Sequence, residues 1–372
     1  MEIKISREVL LEGVQKTLGI VEKRTTMPIL NNVLVKAKEG KIRIAATNRE
    51  ISLIADYNAE VIHFGEITLS ARKLFEMIRE LQGDILHIIL NESNWINISC
   101  GKTHFRIPGI SAEDYPNVDQ DEEVSFFKVK GSILLNMITS TFFAMSTDET
   151  RVNLNGTLFE TEKADGRVFM KMVATDGHRL SLTSVDTGME DFLLLEKGVI
   201  IPRKGIAEIR KIIEADDKEI EIGIKKGFCI IRKENMVLKV SLIDSEYPDY
   251  RRVIALEEGV SIQLDREQFL RSLKRMGVIS SEKYSGVKIR ILGNKILLNS
   301  NNPDIGEASD EIEIPVSNRE FEVGYNVRYL IDAVEAIGDK DVVIELRDGL
   351  KPGTIKPAQG DGFLCVIMPL KM

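Results

Sequence analysis

Apolar and polar positions along the chain follow two periods, and the switch between them recurs. Met1-Glu2-Ile3-Lys4-Ile5 alternates with a period of two, as a strand with one wet face does. Leu74, Ile78 and Leu81 recur at helical spacing, as do Ile206, Ile209 and Ile213, and again Leu330, Val334 and Ile337. Each of these short amphipathic helices carries an arginine at its start (Arg72, Arg203, Arg328) and leads into a strand, over 85–90, 220–224 and 342–346. A second set of helices, over 6–18, 131–145 and 266–276, heads each unit. Arg203 follows Arg72 by 131 residues and Arg328 follows Arg203 by 125. The first two units also end alike, on Asp114-Tyr115-Pro116 and Glu246-Tyr247-Pro248.

A period of this length, kept in phase by helix, strand and terminal signals, predicts three copies of one structural unit. The fold class is α+β, with two helices per unit packed on antiparallel sheets. Ile42, Ile44 and Ala46 are expected to face the core with Arg43 and Ala45 turned outward. Val287, Ile289 and Ile291 are expected to do the same around Lys288 and Arg290. The acidic stretches Asp119-Gln120-Asp121-Glu122-Glu123 and Glu257-Glu258-Gly259 read as solvated connectors. The domains are therefore placed at 1–120, 126–252 and 259–372.

Composition narrows this picture. With 43% hydrophobic residues in 372, the chain can build cores and is not intrinsically disordered. Cys100, Cys229 and Cys365 lie far apart, which excludes a disulfide framework and a zinc-type spacing and points to a reducing, cytoplasmic setting. The N-terminus lacks the apolar core of a signal peptide, and no apolar run approaches the ~18 residues of a membrane span. No membrane partner is expected. A net charge of −8 argues against a protein that coats nucleic acid over its whole surface, yet it permits a local basic lining.

Enzyme motifs are sparse. Gly101-Lys102-Thr103 imitates the end of a phosphate loop, but Ile96 stands where that loop needs glycine, so a hairpin tip between Ile98 and Phe105 is expected. No GxGxxG opens a helix and no HExxH occurs; neither cofactor nor metal is expected. Asp176-Gly177-His178-Arg179 first reads as a β-turn. Asp176 and His178 could also form a hydrolytic pair on nucleic acid, or His178 could serve binding. Basic residues gather on the predicted helices: Arg72, Lys73 and Arg79, then Arg203, Lys204, Arg210 and Lys211, then Arg271, Lys274 and Arg275. Arg24 lies in a polar loop. Such faces suit phosphate contacts that carry no sequence information, although Glu76, Glu80, Glu208, Asp332 and Glu335 dilute them. The apolar end Phe363-Leu364-Cys365-Val366-Ile367-Met368-Pro369-Leu370 should be tied into a sheet, and its last residues could border an apolar surface site.

Short segments add a further signal by their order. They are Met27-Pro28-Ile29-Leu30-Asn31-Asn32, Ala71-Arg72-Lys73, Leu154-Asn155-Gly156, Ala174-Thr175-Asp176-Gly177-His178-Arg179-Leu180, Pro202-Arg203-Lys204-Gly205 and Tyr247-Pro248-Asp249-Tyr250-Arg251-Arg252-Val253. Asn301-Asn302-Pro303, Gly324-Tyr325-Asn326-Val327 and Val366-Ile367-Met368-Pro369 complete the series. In this order, across essentially the whole chain, they resemble the bacterial sliding clamps, the β subunits of DNA polymerase III.

The resemblance implies three clamp-type domains, and a head-to-tail homodimer that closes a six-domain ring around duplex DNA without sequence specificity. It implies a processivity factor with no catalytic residue, one that tethers the replicative polymerase, the clamp loader and repair proteins through short linear peptides. Matching the motifs places the peptide pocket at Leu154, Thr175, Gly177, His178, Arg179, Leu180, Pro248, Arg252, Val253, Val366, Met368 and Pro369, with Asn326 and Tyr329 beside them. Leu, Val, Pro and Met would offer the slot; His178 and the arginines would form its polar rim. DNA contacts fall on Arg24, Arg72, Lys73, Arg79, Arg203 and Lys204. The dimer interface pairs Lys102, His104 and Phe105 of one copy with Val278, Ile279, Asp304 and Glu307 of the other. The chain departs from the family pattern at Asn153, at Lys351-Pro352-Gly353-Thr354-Ile355-Lys356-Pro357 and at Lys371-Met372.

A nucleic-acid enzyme using Asp176 and His178, and a monomeric ligand-binding module of three repeats, are the alternatives. His178→Ala separates the first from the clamp. A clamp variant binds partner peptides more weakly and still holds DNA, whereas an enzyme variant loses a chemical step in a turnover assay.

Overall fold

The computed structural model describes residues 1–21, 27–91, 93–118, 124–188, 194–213, 218–255, 257–281, 283–315, 320–349 and 351–371. Strand and helix alternate with a fixed grammar. The first third holds β1 (Glu2–Ser6), α1 (Arg7–Thr17), β2 (Asn32–Lys38), β3 (Lys41–Thr47), β4 (Ile51–Asn58), β5 (Glu60–His63), β6 (Gly65–Ser70), α2 (Ala71–Glu80), β7 (Ile85–Leu90), β8 (Trp95–Cys100) and β9 (Thr103–Pro108). The middle third holds β10 (Phe126–Lys130), α3 (Gly131–Phe142), β11 (Gly156–Ala164), β12 (Arg167–Thr175), β13 (Arg179–Asp186), β14 (Val199–Pro202), α4 (Arg203–Ile212), β15 (Glu219–Lys225), β16 (Phe228–Lys233) and β17 (Met236–Ser241). The last third opens on a single turn, α5 (Arg251–Ile254). It continues with β18 (Val260–Asp265), α6 (Arg266–Val278), β19 (Gly286–Leu292), β20 (Lys295–Asn302), β21 (Gly306–Glu313), β22 (Phe321–Asn326), α7 (Val327–Glu335), β23 (Asp341–Leu346), β24 (Gly353–Pro357) and β25 (Phe363–Ile367).

Apart from β5 and α5, each third is a strand–helix–three-strand motif used twice. The two motifs of a third are interlocked, because the leading strand of each pairs with the first of the three trailing strands of the other. The resulting four-strand groups run β6-β2-β3-β4, β1-β7-β8-β9, β10-β15-β16-β17, β14-β11-β12-β13, β18-β23-β24-β25 and β22-β19-β20-β21, all antiparallel. The helices sit where the residue before them can turn the chain. Asp265 Oδ1 accepts from Gln268 N (2.8 Å) to open α6, and Asn326 Oδ1 accepts from Arg328 N (2.9 Å) to open α7.

The groups do not stay separate. In one compact unit, residues 1–134 with 204–242, β4 pairs with β17 from Ile51↔Val240 to Ala55↔Met236 and makes an eight-stranded sheet. Asn235 and Asp56 extend that joint, Asp56 N reaching Asn235 O at 3.1 Å and Asn235 Nδ2 reaching Asp56 O at 2.8 Å. In the other unit, residues 135–203 with 243–372, β13 pairs with β25 from Arg179↔Ile367 to Thr183↔Phe363, again giving eight strands. The apolar C-terminal segment is thereby held in a sheet, as its composition predicts.

The alternation holds in β19, where Val287, Ile289 and Ile291 are fully buried and Arg290 is exposed. It fails in β3, where Ala45 is as buried as Ile44 and Ala46. The outward face there is covered by Ile29, Leu30, Tyr115 and Val118, and Tyr115 Oη donates to Asn32 O and Ala45 O, both at 3.3 Å. Its repeat partner Tyr247 packs on the cluster of Leu158, Val173 and Leu180 and donates to Val173 O at 3.2 Å. Burial pushes both phenols up from their ordinary pKa. These unit ends are therefore sheet covers rather than plain terminators.

The connector at Glu257 and Gly259 is tied down as well. Arg347, almost fully buried, donates to Glu257 O (2.6 Å), Pro352 O (3.1 Å) and Glu345 Oε2 (3.0 Å). The predicted hairpin tip at Gly101-Lys102 is present, with Cys100 opposite Thr103 and Gly101 at φ +57. The connector at 119–123 lies outside the described residues. Among the described residues no helix is long and apolar enough to cross a membrane.

The departure at 351–357 forms β24, inserted between β23 and β25. Its Gly353 lies against Tyr325, which is fully buried, and a Cβ there would overlap the tyrosine hydroxyl. Gly353→Ala should lower unfolding stability by about 1–3 kcal/mol, read in a denaturant titration, because a packed core resists an added methyl group.

Candidate functional site

The polar cluster at 176–179 joins β12 to β13 and sits where β13 begins and β25 ends. Gly177 takes φ +87, in the left-handed region that favours glycine. Asp176 Oδ1 accepts from His178 N (2.9 Å) and Arg179 N (3.0 Å), and its Oδ2 accepts from Arg179 Nε (3.1 Å). Thr175 Oγ1 donates to Arg179 O (2.6 Å) and accepts from Gly177 N (3.1 Å). Asp176 thus spends both carboxylate oxygens on its own turn. No hydrogen bond links its carboxylate to the imidazole of His178, whose side chain is exposed.

Hydrogen bonds gather other segments at this end of the sheet. Arg151 Nη1 donates to Asp176 O (3.1 Å), and Asn153 Nδ2 to Glu246 O (3.3 Å), which fixes the short 3₁₀ turn Val152–Leu154. Met368 N donates to His178 O (2.9 Å) and Leu370 N to Gly324 O (2.8 Å). Tyr250 packs on the same cluster as Leu180 and Val366 and brings α5, with Arg252 and Val253, alongside. The result is a run of exposed or half-exposed apolar side chains on one unit: Val152, Leu154, Val253, Met368 and Leu370. Soluble chains rarely leave such a group open without a use for it. Val152 was not in the sequence-based set, because it gives no signal in a polar stretch; Leu370 entered only as the end of the apolar C-terminal run expected to border a surface site.

Not every expected pocket residue is on this surface. Leu180 and Val366 are 2% and 1% exposed and pair with each other across β13 and β25. Tyr247, Tyr250 and Ile254 pack with them, so they form the core beneath the surface instead of its lining. Asn326 spends its side chain capping α7 and donating to Ser285 Oγ (3.1 Å). Arg252 stays at the rim, exposed and paired with Asp249 at 3.0 Å.

Arg179 is not a rim residue either. Its side chain is 10% exposed. Besides Asp176 it donates to Asp332 Oδ2 and to Phe143 O, both at 2.5 Å. Its guanidinium stacks on the Tyr329 ring at 4.3 Å and faces the Phe143 ring at 5.1 Å. Burial, with the nearby Asp176 charge, raises the Tyr329 phenol above its ordinary pKa. On α5, the exposed Arg251 reaches a buried carboxylate: Glu160, 8% exposed, accepts from Arg251 Nη2 (3.0 Å) and from the Tyr250 hydroxyl.

The helices expected to meet DNA differ among themselves. On α2, Ala71, Leu74 and Ile78 are buried while Arg72, Lys73 and Arg79 are exposed. Lys73 pairs with Glu76 (2.8 Å) and Arg79 with Glu80 (3.0 Å). On α4, Lys204 is exposed. Arg72 and Lys204 form no ion pair among the described residues. On α6, Arg271, Lys274 and Arg275 all have acidic partners: Glu267, Glu335 and Asp310. Arg24 lies outside the described residues.

Arg203 departs from the expectation. It is half-buried, donates to Phe142 O (3.3 Å) and Met145 O (3.1 Å), and stacks on Phe142 at 4.5 Å. Burial and the neighbouring Arg179 charge lower its pKa. The guanidinium completes the carbonyl end of α3 and is not free for a phosphate.

The expected interface residues fall on two edge strands and, for Val278 and Ile279, at the end of α6. Lys102, His104 and Phe105 belong to the β8–β9 hairpin, and β9 ends its sheet. Asp304 and Glu307 lead into and begin β21, which ends another. Val278, at the end of α6, is 78% exposed, and Ile279 follows it. Arg203→Ala should cost about 1–3 kcal/mol of stability, because two carbonyls lose a charged donor. Lys204→Ala should stay within about 0.5 kcal/mol; thermal unfolding of the two variants measures the difference.

Comparison with known proteins agrees with this architecture along the full chain. Models of the N-terminal, central and C-terminal domains of the DNA polymerase III beta subunit match residues 1–119, 128–249 and 251–371. The beta sliding clamp of Pseudomonas aeruginosa is 31% identical over 375 residues, covering 100% of both chains, and that of Escherichia coli is 28% identical over 373 residues with the same coverage. A crystal structure of the C. crescentus beta sliding clamp superposes with a TM-score of 0.94 at 31% identity, over 100% of this chain and 99% of that one. A Bartonella birtlesii sliding clamp bound to griselimycin gives 0.93 at 30% identity over 100% of both. Three domain models in register and whole-length relatives place this chain in the DNA polymerase III beta subunit family, the beta sliding clamps.

Proposed function

We propose that two copies of this chain close head to tail into a ring around duplex DNA and serve as a processivity factor for a replicative polymerase. The observation that carries this reading is the arithmetic of sheet edges. The described residues form six four-strand groups, and the last trailing strand of each is its joining edge. Four of these edges are used within the chain, as β4 with β17 and β13 with β25. The two equivalent edges left over are β9 and β21. A free strand edge is a template for another chain. The β8–β9 hairpin is basic through Lys102 and Arg106, while β21 is acidic through Glu307, Glu311 and Glu313. Pairing β9 of one copy with β21 of the next satisfies edge and charge together. Two such joints close a homodimer of six domains, with boundaries in each copy at 1–120, 126–252 and 259–372.

Lys102, His104 and Phe105 then meet Val278, Ile279, Asp304 and Glu307 of the other copy. Arg72, Lys73, Arg79 and Lys204 face the phosphates, and Arg24 joins them by its resemblance to the family. Peptides from the polymerase, clamp loader and repair proteins dock on Leu154, His178, Arg252, Val253 and Met368. Thr175, Gly177, Pro248 and Pro369 shape the margin, Tyr329 and Arg179 stand behind it, and Leu180, Val366 and Asn326 support it from below. The protein carries out no chemistry and works in the cytoplasm. A hydrolytic role for Asp176 is disfavoured because its carboxylate is consumed by the turn.

The test is retention on DNA of two topologies. The protein is loaded on a nicked circle with a clamp loader and ATP, and half of the sample is then linearised. Retention on the circle with loss from the linear form is expected. Equal retention on both would mean direct affinity and would remove the ring.

A further inference from the structure

We propose that Asp332, on α7, is a positioning residue of the peptide pocket, acting on a bound peptide through Arg179 and Tyr329. The inference rests on the pocket reading above. One guanidinium, that of Arg179, joins four separate pieces of chain: its own strand β13, the 176–178 turn through Asp176, the end of α3 through Phe143 O, and α7 through Asp332. Its central carbon sits over the Tyr329 ring, 4.3 Å from the ring centre, one helical turn before Asp332. The same turn carries His178, whose carbonyl holds Met368 N, so both an edge and an apolar wall of the slot hang on this group.

Asp332 is the member that can be removed without breaking the fold. Arg179 is 10% exposed, and losing all its partners would leave a buried charge, which is strongly destabilising. Asp332 is 36% exposed, and Asp176 remains as the counter-ion when it is neutralised. Asp332→Asn preserves shape but replaces a charged acceptor by a neutral one. The guanidinium then keeps Asp176 and Phe143 O but loses its charged tie to α7, and the Tyr329 ring on that helix loses the fixed platform that orders it. A peptide must order that ring itself, and its affinity falls by that cost.

The experiment is isothermal calorimetry of the full-length protein with a synthetic octapeptide carrying adjacent Leu and Phe. Four proteins are compared: the parent, Asp332→Asn, Tyr329→Leu and the double variant. Asp332→Asn is expected to weaken binding roughly tenfold, the scale of one charged hydrogen bond, with the melting temperature within about 2 °C of the parent. In the Tyr329→Leu background the same change should have little further effect, because the path through the ring is gone. Parent-like affinity for Asp332→Asn overturns the inference. So does full additivity in the double variant, which would mean that Asp332 does not act through Tyr329. So does a large melting shift without loss of affinity, which would make the contact a purely structural one. If the parent itself binds no peptide, the pocket reading fails and this inference with it.

Discussion

Backbone pairing between the last strands of four-stranded groups decides how this chain is assembled. An open sheet edge presents unpaired N–H and C=O groups, and these must find partners in the protein or in water. Here β4 with β17, and β13 with β25, meet that demand across stretches far apart in sequence. The joints are made of main chain, so they depend on register more than on side-chain identity. That explains how a chain sharing only 28–31% of its residues with curated relatives keeps their arrangement over its whole length. It also explains why the unused edges β9 and β21 matter, since every other group of the same kind has a neighbour.

Local elements were largely legible in the sequence. The spacing of Leu74, Ile78 and Leu81 gave α2, the Gly101-Lys102 tip gave a hairpin, and the apolar C-terminus read as a strand held in a sheet. These signals are local: period, turn chemistry and chain end act within about ten residues. What was not legible depends on distant segments. Ala45 looks outward by alternation and is buried because Tyr115 and Val118 return over it. Leu180 and Val366 read as pocket lining and are core residues because Tyr247 and Tyr250 pack with them. The interlocking of the two motifs in each third was equally invisible, since nothing in a strand's own pattern says which neighbour it takes.

Arginine was the residue type most easily misread. Arg72, Arg203 and Arg328 occupy corresponding helix starts, and one role was expected for the first two. Arg72 stays on the surface, whereas Arg203 turns back onto the carbonyls of Phe142 and Met145. Arg179 goes further and becomes a joint between β13 and α7. The planar guanidinium, with several donors in a fixed fork and a face that stacks on rings, suits both tasks. A sequence count of basic residues therefore overstates the charge available to a polyanion. The exposed remainder is diluted again by acids on the same helices, as Lys73 with Glu76 and Arg79 with Glu80 illustrate.

That dilution fits a ring better than it fits a protein that holds DNA by affinity. Each phosphate neutralised adds to binding strength and to its salt dependence, and tight contact with the backbone would resist movement along it. A chain of net charge −8 with partly paired helix cations has little excess attraction to spend. In a closed ring retention comes from topology, so contacts need only be favourable enough to centre the duplex. The tether to a polymerase then works through effective concentration: a partner held by a peptide stays beside the primer end even when its own grip on DNA lapses. On that reading a peptide surface can also remain modest in affinity, because exchange of partners requires release. On the proposed reading the two demands, weak DNA contact and a small apolar surface with a firm scaffold behind it, fall on different helices and strands, and edge pairing is what allows each group to be built separately.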